Sequence, residues 1–232
     1  MSLYFILLLG SIAVPFLLSF DRKLQFYRQW KFVIPSTLII AAVYIFFDIL
    51  MTGWGVWGFN SRYHSDIVIW HLPIEEWLFF IVIPYASIFL HESVVLYFPH
   101  IQISKKYSDY LSYGFLVFLS VMLLLNPDKT YTVYIFATVI LSLLLSLFDS
   151  SQTIRSFYLT FLLILVPFFI VNAILTGSFI ESEVVWYNDA ENLGIRILTI
   201  PVEDIGYAFS MILLNLLLIK LFQKKYFKSV KS

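Results

Sequence analysis

Two short acidic stretches carry the residues best suited to chemistry. Pro73-Ile74-Glu75-Glu76 opens the apolar run Trp77–Phe98, and Pro201-Val202-Glu203-Asp204 opens the run Ile205–Phe222. Carboxyls crowded into a low-dielectric site differ in how tightly they hold a proton. One can then act as general acid while another acts as base. A plainer account is also open: proline suits the first position of a helix, and acids in a first turn complement the helix dipole. At a lipid boundary, however, acids are costly unless they face a cavity or a partner. The same costly feature occurring twice points to two halves built to one plan. Glu75 is then equivalent to Glu203, and Glu76 to Asp204. Neighbouring helical residues point about 100° apart, so one acid from each half can aim at a shared centre.

The elements that must position these acids are read from hydropathy. Of the 232 residues, 60% are hydrophobic, 19% aromatic and only 13% charged. That charged share is about half the value usual in soluble domains. The apolar residues fall into blocks of roughly 16–25, the length that crosses hydrocarbon as a helix. The expected fold is an all-α integral membrane protein with seven transmembrane helices. The spans are expected at about Ser2–Phe20, Phe32–Thr52, Leu72–Phe98, Tyr110–Leu125, Tyr131–Phe148, Phe157–Thr176 and Thr199–Phe222, with Pro15 and Pro167 as candidate kinks. The first run has no basic leading segment and no small-residue cleavage site, so it is expected to be a retained span. Only Arg62, Lys129 and Arg196 of the 15 Lys and Arg residues fall on the side of the acidic stretches. The other twelve, including Lys220 and the tail residues Lys224, Lys225, Lys228 and Lys231, fall on the opposite side. The positive-inside rule then predicts a multi-pass protein of the cell membrane with its N-terminus outside and its C-terminus cytoplasmic. Zero net charge gives no reason to expect a nucleic-acid partner. The absence of cysteine excludes disulfides, thiolate metal sites and cysteine nucleophiles.

The halves match beyond the tetrapeptide. Asp48-Ile-Leu-Met-Thr-Gly53 closes the second span, and Asn172-Ala-Ile-Leu-Thr-Gly177 closes the sixth. Asn60 lies 13 residues before Pro73, and Asn188 lies 13 before Pro201. Between these landmarks the register moves from 124 to 128, so the second loop holds four extra residues. The expected architecture is two parallel three-helix repeats joined by a linker helix: residues 1–98, a linker over 99–130, and residues 131–232. The linker helix restores the orientation, so both acidic stretches are expected on one side of the bilayer. Sites at a repeat interface are common in membrane proteins.

Aromatic residues gather around both stretches. Trp54, Trp57 and Trp77 belong with the first, and Trp186, Tyr187 and Tyr207 with the second. Interfacial belts contain such residues, yet every Trp except Trp30 falls on one side, which favours a site there. Their ring faces can stabilise a cation. Asp48 and Asn172 are paired by the repeat and deep enough to be costly; both are candidate site residues, with an interhelical hydrogen bond as the plain alternative. Asn188, Asn192 and Arg196 in the acidic loop are further candidates, Arg196 as an ion-pair partner of Glu203 or Glu191. His64 and His71 fit no metal-ligand spacing, and no dinucleotide fingerprint occurs, so neither metal nor cofactor is expected.

These motifs resemble the membrane-integral lycopene cyclases, which carry a Pro-x-Glu-Glu/Asp motif in each half. Here the motifs are Pro73-Ile-Glu75-Glu76 and Pro201-Val-Glu203-Asp204, and Trp186-Tyr-Asn188-Asp, Asn192-Leu-Gly-Ile-Arg196 and Ile200-Pro-Val-Glu-Asp-Ile-Gly206-Tyr207 also match. The family occurs as two subunits or as a fused chain, and the layout here resembles the fused form. The resemblance implies a lycopene β-cyclase without cofactor. A proton is added to a terminal double bond, the neighbouring double bond attacks the cation, and loss of a ring proton leaves a β-ionone ring with no net redox change. On this reading Glu75 and Glu203 are the expected acid/base pair, with Glu76 and Asp204 assisting, and the donor of the pair is left open. The implied partners are membrane lipid, the apolar carotenoid lycopene and other enzymes of carotenoid synthesis, with oligomeric state unassigned. Three alternatives stand beside it. One is a sugar-transporter-like three-plus-one-plus-three bundle, although such sites lie near the midplane. The second is a retinal-binding receptor, which needs a lysine in the middle of the seventh helix, whereas Lys220 is at its end. The third is a cyclase of another carotenoid or polyprenoid.

Overall fold

The computed structural model describes residues 1–229, so Lys231 of the expected basic tail lies outside the described residues. Among the described residues seven helices form: α1 Leu3–Leu18, α2 Trp30–Gly53, α3 Ile74–Tyr97, α4 Lys105–Leu125, α5 Thr130–Leu147, α6 Ile154–Leu175 and α7 Glu203–Ser229. Six are long and apolar enough to cross a bilayer. The seventh, α1, has 16 residues, about 24 Å at a rise of ~1.5 Å per residue, short of a hydrocarbon core of roughly 30 Å. A 3₁₀ turn at Phe26–Gln29 leads into α2.

α4 begins five residues before its expected start. Ser104 caps it by accepting a hydrogen bond from the Tyr107 N–H, and a Lys105–Asp109 ion pair of 2.7 Å supports its polar first turn. Two other differences lie where α3 and α7 begin. Leu72–Pro73 and Ile200–Pro201 were expected inside spans, but they are short strands.

Six such strands make three antiparallel ladders: β1 Trp57–Phe59, β2 Val68–Ile69, β3 Leu72–Pro73, β4 Val185–Tyr187, β5 Arg196–Ile197 and β6 Ile200–Pro201. β1 pairs with β4, setting Trp57 opposite Tyr187 and Phe59 opposite Val185. β2 pairs with β3 and β5 with β6, each through a two-residue turn. In these turns Trp70, His71 and Leu198 adopt left-handed φ angles of 50°, 70° and 57°. Each such residue costs roughly 1–2 kcal/mol in an L-amino acid, which the ladders must offset. Gly58 is required at its place in β1, because a Cβ there would run into the Trp186 indole.

α3 and α7 are central. α1 packs on α3 and α5 on α7, while α2 also contacts α7 and α6 also contacts α3. α4 lies outside, against α5 and α6. Polar side chains cross-link the bundle where hydrocarbon offers them no other partner. Ser36 Oγ donates to the Asn215 carbonyl at 3.0 Å, Tyr44 donates to Ser210 at 2.8 Å, and His91 Nδ1 lies 2.7 Å from Thr160. At the far end Lys220 pairs with Glu92 at 3.2 Å.

The chain direction alternates from helix to helix. The β1–β4 ladder and the hydrogen bonds Tyr4 N–H to Tyr63 O and Tyr131 N–H to Glu191 O gather the starts of α1, α3, α5 and α7 at one end of the bundle. Both acidic stretches are at that end.

Candidate active site

The chain holds the two acids of each pair in different ways. In the first pair, the N–H of Ile74 is bound by the Ile67 carbonyl at 2.9 Å. Glu75 accepts hydrogen bonds from Ser65 N–H at 2.7 Å, Ser65 Oγ at 3.0 Å and Ser2 Oγ at 2.6 Å. In the second, the N–H of Val202 is bound by the Ile195 carbonyl at 3.0 Å, and Glu203 accepts from Leu193 N–H at 2.8 Å and Thr132 Oγ1 at 2.7 Å. Glu75 and Glu203 therefore reach back to the preceding loop and pin it to the helix start.

Glu76 and Asp204, one step further round the helix, turn inward. Glu76 accepts a hydrogen bond from the Tyr4 phenol. Asp204 accepts one from the Tyr131 phenol and one from Tyr187 at 3.1 Å. Both acids line one cavity of about 660 Å³, counting its open mouth. The cavity wall is largely apolar: Phe59, Phe79, Ile83, Phe168, Leu175, Val185, Ala208 and Met211. Trp57, Tyr131, Tyr187 and Tyr207 add ring faces. Tyr131 stacks on Tyr187 at 5.6 Å between centroids, and Trp57 meets Tyr131 edge-on at 5.0 Å. Burial, and next the charge of Asp204, push the Tyr187 phenol above its ordinary value, so it remains a donor at neutral pH.

A third carboxyl shares this cavity. Asp48 is 2% exposed, and its Oδ1 accepts the Trp57 indole N–H at 2.6 Å. Its partner is thus a loop indole, where an interhelical bond was the plain alternative. Asn172 also lines the cavity, with its Nδ2 donating to the Phe168 carbonyl of its own helix at 3.1 Å.

The remaining candidates frame the site from outside the cavity. Asn192 is buried and organises its loop, donating to the Asn188 carbonyl at 3.3 Å and accepting Gly194 N–H at 2.7 Å. Asn188 Oδ1 accepts Ala190 N–H at 3.0 Å. Arg196 differs from the expected pairing: it binds Asp189 at 2.5 Å and the Thr199 carbonyl at 2.7 Å, not Glu203 or Glu191. Glu191 instead accepts Thr130 N–H at 3.3 Å. Trp186 packs over Gly58, and Trp77 meets Trp70 at 5.9 Å. Trp54 is 65% exposed at the end of α2, away from the cavity.

Tyr4 and Tyr131, the phenols that bind the cavity acids, are not among the candidates named from sequence. Their signal was available: each is the second residue of its helix, 72 and 73 residues before its acid.

Neither a curated protein nor a solved structure matches the chain. A sequence model of the family described as lycopene cyclase matches residues 1–94 and 128–222. These segments hold both acidic stretches, both phenols and all three cavity carboxyls. With most of its length matched, the chain belongs to the lycopene cyclase family, whose enzymes cyclise carotenoids.

Proposed function

We propose that the chain is a lycopene β-cyclase, closing acyclic carotenoid ends to β-ionone rings by proton transfer alone. The observation that carries this reading is that two acids from separate helices, Glu76 and Asp204, turn their side chains into one shared, largely apolar cavity, each bound by a phenol. A hydrocarbon end needs a dry pocket, a proton source, a proton acceptor and ring faces over the developing cation. The apolar wall and the four aromatic residues named above fit those needs. The cavity orientation of Glu76 and Asp204 supports giving them the roles that the family motif alone suggested for Glu75 and Glu203. In this reading Glu75 and Glu203 are positioning residues that hold the loops.

The same reading treats residues 1–98 and 131–232 as two copies of one three-helix unit, with α4 in the linker 99–130. The hairpins β2–β3 and β5–β6, the paired loop bonds and the two phenols recur at nearly constant spacing, which supports it. The acidic end would face outward and the basic end the cytoplasm. The experiment is expression in lycopene-accumulating cells, with pigment analysis normalised to protein in the membrane. Wild type should yield β-carotene. Glu76→Gln and Asp204→Asn should leave lycopene unconverted at normal protein levels. Glu75→Gln and Glu203→Gln should chiefly lower the amount of folded protein. Wild-type rates of ring formation in both Glu76→Gln and Asp204→Asn would overturn the assignment.

A further inference from the structure

We infer that the acidic end of the bundle seats three loop side chains, Trp70, Phe179 and Leu198, in the lipid leaflet around it, at the boundary between headgroups and acyl chains. Trp70 and Leu198 stand in the turns of the β2–β3 and β5–β6 hairpins, and Phe179 follows α6. Each has a left-handed backbone, with φ of 50° at Trp70, 67° at Phe179 and 57° at Leu198. Each also stands clear of the protein: Trp70 is 69% exposed, Phe179 90% and Leu198 69%.

Glycine adopts such a backbone without strain, and asparagine with little. Hairpin turns with left-handed central residues ordinarily carry Asn-Gly, or Gly at the first central position. Here they carry Trp70-His71 and Leu198-Thr199. In water, backbone strain and the exposure of a large apolar side chain both oppose that choice. The same choice nevertheless occurs in three separate loops of one end. Among the described residues, the left-handed non-glycine residues of the basic end are Gln25 and Gln152, whose amides suit water. His71, beside Trp70 in its turn, is the polar member at the acidic end. A lipid surface at the acidic end accounts for the difference, because it removes the three apolar side chains from water.

The surroundings identify lipid as the occupant. The Trp70 ring lies 5.9 Å from that of Trp77 on α3, and Ile81, one turn further along, is exposed. Thr199 Oγ1 lies 2.6 Å from Thr176 Oγ1 and 2.7 Å from Ser178 Oγ, which seats the β5–β6 turn against the end of α6, beside Phe179. Nearer the middle of α6, Ile170 and Val166 are exposed as well. Both helices are long and apolar enough to cross a bilayer, so the loop residues extend surfaces that hydrocarbon covers. Indole rings favour the headgroup boundary. The exposed Arg62–Glu181 ion pair marks where the same end meets water. The hairpins are bonded to the helix starts, Ile67 O to Ile74 N–H and Ile195 O to Val202 N–H. Lipid seated on them therefore steadies the two turns that carry Glu75, Glu76, Glu203 and Asp204.

The test uses the absence of native cysteine. Trp70→Cys, Phe179→Cys, Leu198→Cys and the water-facing control Arg62→Cys each receive a nitroxide label in full-length protein reconstituted into phosphatidylcholine vesicles. Collision rates with oxygen, which dissolves in lipid, and with a chelated nickel ion, which stays in water, are read from the spin relaxation. Oxygen collisions should outnumber nickel collisions at positions 70, 179 and 198, and the order should reverse at 62. Nickel-dominated collision at any of the three overturns the inference. So does a label hidden from both reagents, because a protein surface then covers the loop. A second reading stands even where a cysteine variant fails to insert. The emission that Trp70 contributes, taken as wild type minus Trp70→Phe per unit of inserted protein, should fall when the vesicle lipid is brominated on its acyl chains. Emission from Trp70 that brominated lipid leaves unchanged overturns the inference.

Discussion

The two phenols on Asp204 allow a test of how much the cavity depends on them. Tyr131→Phe and Tyr187→Phe each remove one oxygen and keep the ring. The stack at 5.6 Å and the Trp57 contact at 5.0 Å therefore survive, and no cavity opens. A hydrogen bond to a charged group contributes about 1.5–3 kcal/mol. When one donor is lost, the remaining phenol still holds the carboxylate, so the single changes should cost about 1 kcal/mol each, roughly a fivefold loss of rate. Removing both leaves a buried carboxylate with neither phenol, at about 3 kcal/mol and roughly 150-fold. Residues sharing one network should deviate from additivity in this direction. The assay is the initial rate of ring formation on lycopene in membranes, per unit of inserted protein, for wild type, both singles and the double. A double no worse than the product of the singles, about 25-fold, would refute the claim that the phenols jointly sustain the charge on Asp204.

Gly206→Ala places a Cβ 2.7 Å from Ile135 Cγ2 on α5; overpacking of this kind costs about 1–3 kcal/mol, so the detergent-solubilised protein should aggregate at lower temperature than wild type. Trp54→Ala should leave ring formation near wild type, because Trp54 is 65% exposed, whereas Trp57→Ala should lower it at least tenfold by stripping the cavity wall and the Asp48 partner, on the scale of a buried aromatic truncation; pigment analysis of both decides it. The hydrogen bond from Arg196 holds the Asp189 carboxyl below its usual range. A lowered folded pKa gives stability that is present above the unfolded value of about 3.9 and lost as pH falls through the folded one, so protease cleavage in the loop 177–198 should stay flat from pH 8 to 5 and rise only below about pH 4. With no native cysteine, Arg62→Cys should react with an impermeant maleimide in intact cells and Lys106→Cys only after permeabilisation; the reverse pattern would invert the proposed orientation.

Much of the fold was legible because a bilayer forces apolar residues into long blocks. The polar turn Lys105–Asp109 hid the true start of α4, since hydropathy registers its charge but not its ion pair or the Ser104 cap. The ladders were not legible at all. Two-residue strands such as Val68–Ile69 carry no periodicity, and β1 finds its partner 128 residues away. Such pairings are set by where the helices bring the loops, not by local preference.

The site shows the same division between what local sequence states and what packing decides. The spacing of Glu75, Glu76, Glu203 and Asp204 marked the two turns that stand beside the cavity, but two neighbouring carboxyls are chemically alike, and only the surroundings separate them. Ser65 and Leu193, each ten residues before the first acid of its pair, claim that acid for the loop. The second acid, about 100° further round the helix, is left to the cavity. What then distinguishes Glu76 from Asp204 and Asp48 is the donor each meets, and those donors come from α1, α5, β4 and β1. The cavity is therefore a property of the whole bundle: two helix-start turns and α2 supply the carboxyls, and α1, α5, β4 and β1 supply the donors that give each its own surroundings.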